Sequence, residues 1–211
     1  MRSSSIAVLV AGFVAVAEAK PQQSRFMAHP IWNGALPERP HGEMLRLATS
    51  LGKSHRVPAM KSDAAYVRWV NQELGPNLRR DQQDLAKLSK LAAGLTGDDH
   101  AFASILLAFA TDARVAFMRK ADAADPHGGL NASAGIGLDD HARQANAVVA
   151  LATRCAHEVA STSAPLSEWA ARCVALGETS QKIVDDNCAQ AKQIGVAKAG
   201  TFCGDRTSPR P

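Results

Sequence analysis

From His41 onward, apolar residues recur at three- and four-residue spacings, the period of one face of an α-helix. Met44, Leu45, Leu47, Ala48 and Leu51 fit a short first helix ended by Gly52. Ser62-Asp63 can cap a second, in which Val67, Val70, Leu74 and Leu78 share a stripe. Gly75-Pro76 interrupts that pattern, yet Leu78, Leu85, Leu88 and Leu95 keep its phase. A kink or brief break is expected there, with helix resuming to about Ala93. A third helix runs from Asp98 to Ala123 and carries Phe102, Ile105, Leu106, Phe109, Ala113, Ala116 and Phe117 on a broad stripe. Between Ala101 and Ala110 it is apolar nearly all round, which marks the central helix of a core.

Residues Asp125 to Gly137 read as a loop by composition. A fourth helix spans Asp139 to Ser161, with Val148, Leu151, Ala152, Cys155 and Val159 on one side. After the Ser-Thr-Ser-Ala-Pro break a fifth runs from Leu166 to about Ile194, turning Leu166, Trp169, Cys173, Ile183, Val184 and Ala191 inward. No segment of useful length alternates with period two. The expected fold is all-α: an antiparallel up-and-down helical bundle of four long helices plus a short N-terminal one.

The N-terminus adds a compartment. Arg2, an apolar core from Ile6 to Val16 and the small-x-small Ala17-Glu18-Ala19 have the form of a cleaved export signal. The apolar core falls short of the roughly 20 residues that a membrane span needs. The division is therefore a signal peptide at 1–19, an extended arm at 20–40 rich in proline, a helical domain at 41–203 and a flexible tail at 204–211. The mature chain is expected to be exported, periplasmic or extracellular, with no membrane span: the apolar stretch of the third helix is short and is followed by Asp112 and Arg114.

An exported chain with four cysteines is expected to form disulfides, and helical hairpins choose among the three pairings. Antiparallel helices bring together residues equidistant from their turn. Cys155 and Cys173 are equidistant from Ala164, in the Ser-Thr-Ser-Ala-Pro break, and Cys188 and Cys203 are centred on Gly195-Val196, where the last helix should end. The expected bridges join Cys155 to Cys173 and Cys188 to Cys203.

Charge and motifs narrow the function. The formal net charge is +4, and the basic residues are scattered without interleaved aromatics, so nucleic acid is not an expected partner. There is no Gly-x-Ser-x-Gly elbow, phosphate-cradling glycine loop or Cys-x-x-Cys-His. His157-Glu158 opens like a zinc-protease helix, but Ser161 stands where a second histidine is needed. Glu38 and His41 have di-iron spacing, but Pro40 between them argues against a helix. No catalytic residue, cofactor or metal ligand is assigned.

Asp-Asp-His-Ala occurs twice, at Asp98 and at Asp139, where each Asp pair is expected to cap the start of a helix. Neighbouring antiparallel helices would put His100 and His141 at opposite ends, about 37 Å apart for a helix of roughly 25 residues. The resulting reading is an exported, non-catalytic bundle that acts by binding, with another protein as its partner. One alternative is a copper-type metal-binding protein, because Met27 with His29, His41 with Met44, and His55 with Met60 place thioethers near imidazoles. A second is a hydrolase whose site no motif reveals. Asn131-Ala-Ser133 is an acceptor sequon, relevant in a eukaryotic secretory pathway.

Overall fold

The computed structural model describes residues 42–53, 55–125, 134–162 and 166–206. Of these, 82% are helical and none lies in a strand. The elements are α1 (Gly42–Leu51), α2 (Asp63–Trp69), a π-helical segment (Val70–Leu74), α3 (Gly75–Ala92), α4 (Gly97–Ala123), α5 (Ala134–Ala160), a 3-10 turn (Leu166–Glu168), α6 (Trp169–Gln193) and α7 (Phe202–Asp205). The expected signal peptide and extended arm, His41, Asn131 and Ala164, where a turn is expected, lie outside the described residues.

Ser62 caps α2 by accepting from the Ala65 N–H. At Gly75-Pro76 the helix does not break. Pro76 has no N–H to donate and its ring crowds the carbonyl one turn back. The π-helical segment ahead of it widens the winding, and the Gly75 N–H donates to the Val70 carbonyl instead. The stripe expected along α2 is only partly inward: Leu74 is buried but Val67 is 54% exposed.

α4 forms the centre, as its all-round apolarity requires. Every residue from Ala101 to Ala108 is buried, and they join Met44, Leu47, Leu88, Cys155, Val159, Leu166 and Trp169 in the largest apolar cluster. It is the one described helix long and apolar enough to cross a membrane, and 61% of its most apolar window is covered by the rest of the protein. His100 near its start meets Glu158 near the end of α5, while Asp122 near its end meets His141 near the start of α5. These two helices therefore run in opposite directions. Cys155 faces Cys173, and Ala152 lies beside Gly177, so α5 and α6 are also opposed. α3 packs on α4 and α1, and no substantial contact joins it to α6 among the described residues.

Two boundaries differ from the sequence reading. α5 begins at Ala134, inside the segment expected to be loop, and α7 takes in Gly204 and Asp205 from the expected tail. Thr201 caps α7 through the Gly204 N–H, and Val196 and Ala197 before it and Phe202 at its start pack against Leu138, Ala142 and Val184. The cysteines at disulfide distance are Cys155 with Cys173, Cα atoms 5.8 Å apart, and Cys188 with Cys203, 4.9 Å apart. Such bridges point to an oxidising, exported environment.

Candidate functional site

In neither copy of the repeated motif does the Asp pair hold the cap position of its own helix, which corrects the sequence reading. In the first copy Thr96 holds the cap position, and Asp98 and Asp99 sit in the first turn of α4. In the second, the early start at Ala134 leaves Asp139 and Asp140 inside α5. Asp139 caps a different helix. Its two carboxylate oxygens accept from the Phe202 N–H at 3.0 Å and the Cys203 N–H at 2.7 Å, at the start of α7. Asp140 pairs with Arg143 on the surface.

The histidines of the two copies each meet a carboxylate on the neighbouring helix, at opposite ends of α4. His100 is fully engaged: Nδ1 lies 2.9 Å from the Ala92 carbonyl and Nε2 lies 3.0 Å from Glu158. Glu158 also accepts from the Ser104 hydroxyl and from Arg154. Burial alone would push the Glu158 carboxyl up, but the hydrogen bonds from Ser104, Arg154 and His100 outweigh it and hold the group below the ordinary glutamate range. This cluster joins α3, α4 and α5. Beside it a cleft of about 300 Å³ is lined by Asp98, His100, His157, Glu158, Ser161 and Thr162. A third pair, His55 with Asp81 at 2.8 Å, fixes the segment after α1 to α3, and Asp84 accepts from Ser50 beside it.

The other end is arranged differently. A cleft of about 510 Å³ lies between the end of α4, the start of α5 and the second half of α6. Ala116, Ala123 and Leu138 contribute its apolar part. Arg119, Lys120, Asp122, His141, Asn187 and Gln190 supply polar groups. His141 Nε2 lies 2.7 Å from Asp122, which orients the ring, and Nδ1 has no hydrogen-bond partner among the described residues. Among the described residues Arg119 and Lys120 make no ion pair there, although the charge of Arg119 is felt at Asp112, where it opposes an upward push from burial. Two cations, the Asp122 carboxylate, an imidazole that it orients and two side-chain amides thus border a partly apolar hollow. Its chemistry suits a carboxylate or another oxyanion carried on an apolar body.

Of these groups the sequence marks only His141. Arg119 and Lys120 read as ordinary cations near a helix C-terminus, and Asn187 and Gln190 read as solvated positions on α6. Of the thioether–imidazole set, Met44 is fully buried in the core, His55 is held by Asp81 and Met60 packs beside Trp69. Met27, His29 and His41 lie outside the described residues. Among the described residues no three histidine, cysteine or acidic side chains are grouped to hold a metal ion. No protein-family model matches the chain, and no curated protein or solved structure does.

Proposed function

We propose that the chain is exported by cleavage after Ala19 and folds as an antiparallel up-and-down bundle of four long helices, counting α2 and α3 as one rod. It acts by non-catalytic binding, and its partner is a protein presenting an acidic segment. The observation that carries this reading is the cleft of about 510 Å³, which Arg119 and Lys120 line with no ion-pair partner among the described residues. The opposed α4–α5 and α5–α6 pairs support the architecture, and the His–carboxylate pairs and cysteine pairs supply a stiff frame for such a surface.

The test is a fluorescence anisotropy titration of the chain from Lys20 with a labelled peptide of alternating Glu and Leu, against its Gln-for-Glu counterpart. The acidic peptide should bind and lose affinity with added salt, and Arg119→Ala with Lys120→Ala together should weaken it about tenfold. Equal binding of the neutral peptide, or an unaltered affinity in the double variant, would overturn the reading. The copper-type alternative predicts saturable Cu(I) binding that is lost when Met27, His29 and His41 are removed, and the hydrolase alternative predicts turnover sensitive to His141→Gln.

A further inference from the structure

Resting on that reading of the cleft, we infer that His141 makes anion recognition there proton-coupled, so that binding draws one proton from solvent. The argument is geometric. With Nε2–H donated to Asp122, Nδ1 is the basic nitrogen of the ring, and it lacks a partner among the described residues while the ring lines the cleft. His100 offers the contrast: both of its nitrogens already face oxygen acceptors, so a ligand finds nothing to engage.

The charges facing His141 define the coupling. From α4 come Asp122, Arg119 and Lys120, and from α6 come Asn187 and Gln190, which do not titrate. On α5 itself, Asp140 is engaged by Arg143, and Asp139 by the start of α7. The described lining thus sets the charges of Arg119 and Lys120 against that of Asp122 around the ring. A bound carboxylate changes that balance, because it offsets the cations and accepts directly from Nδ1–H. Protonation and anion binding then strengthen one another, as linkage requires. Histidine is the side chain whose ordinary titration falls between about pH 5 and 8, so the coupling acts in the range an exported protein meets.

The experiment is calorimetric titration of the chain from Lys20 with the acidic peptide at pH 6, 7 and 8, in buffers of differing ionisation enthalpy. The peptide's own glutamates titrate near pH 4.3 and contribute little over this range. Wild type should bind about tenfold more tightly at pH 6 than at pH 8, with net proton uptake near neutrality. His141→Gln should match wild type at pH 8 and gain little at pH 6, whereas His157→Gln, at an exposed position of the other cleft, should keep the full dependence. Asp122→Asn leaves the imidazole but removes the carboxylate that favours its charged form. It should therefore retain the coupling but move it to lower pH, a result that loss of folding cannot mimic. A wild-type affinity independent of pH, or an unchanged dependence in His141→Gln, would overturn the inference while leaving the acidic-partner reading standing. Absence of peptide binding at every pH would remove both.

Discussion

Glu158 shows how one side chain holds three helices. It accepts from Ser104 and His100 on α4 and from Arg154 on its own helix, and His100 in turn reaches the Ala92 carbonyl at the end of α3. Folding lowers the pKa of this carboxyl, so the native state favours its ionised form. That contribution is present above the ordinary glutamate range and is lost as pH falls through the lowered folded value. Glu158→Gln should therefore cost about 1.5–3 kcal/mol at pH 7, the range for hydrogen bonds to a charged group. The difference from wild type should shrink below about pH 4, as wild type loses the same charge. Urea denaturation at pH 7 and pH 3 measures both, and an equal difference at the two values would refute the assignment.

Among the elements, the smallest depends most on a distant residue. α7 is a single turn, too short to persist by itself. It is held by the Cys188–Cys203 pair, by Thr201 at its cap and by Asp139 reaching across from α5. Asp139→Ala should cost about 1–2 kcal/mol, as for loss of a helix cap. It should also speed hydrogen exchange at Phe202 and Cys203 while leaving α4 protected. Replacing Asp98 and Asp99 removes favourable charge from the first turn of α4, at about 0.3–1 kcal/mol each. The two sets of losses should add, because the sites lie at opposite ends of the antiparallel α4–α5 pair. A coupling above about 1 kcal/mol between them would contradict this separation.

At the scale of the whole molecule, both cysteine pairs lie on the α5–α6–α7 side, while α1, α2 and α3 are held to the rest by packing and polar contacts alone. Loops of this length are worth about 3 kcal/mol each when closed, through constraint of the unfolded chain. Non-reducing peptide mapping of the protein should link Cys155 to Cys173 and Cys188 to Cys203. A Cys155–Cys188 link would show that the turn between α5 and α6 is misplaced. Reduction should lower the melting temperature but leave a helix-dominated circular dichroism spectrum, since the apolar stripes remain.

Helix content, the central position of α4 and the four cysteines that meet were legible in the sequence, because each follows from local information. Spacing of apolar residues sets which face is buried, all-round apolarity sets which helix is enclosed, and equidistance from a turn sets which residues of a hairpin face one another. The winding at Pro76 was legible as a disturbance but not as a π-helical segment, since neighbouring turns decided how the missing N–H was accommodated. The role of Asp139 was not legible at all. The same Asp-Asp-His string serves a first turn in α4 and a distant cap in α5, because what a carboxylate bonds depends on which N–H groups the fold brings near it. The clefts follow the same rule: Arg119 and Lys120 become neighbours of His141, Asn187 and Gln190 only where three helices converge. Sequence determined the elements and their inward faces, and tertiary structure decided which polar groups meet, since their partners lie many residues away along the chain.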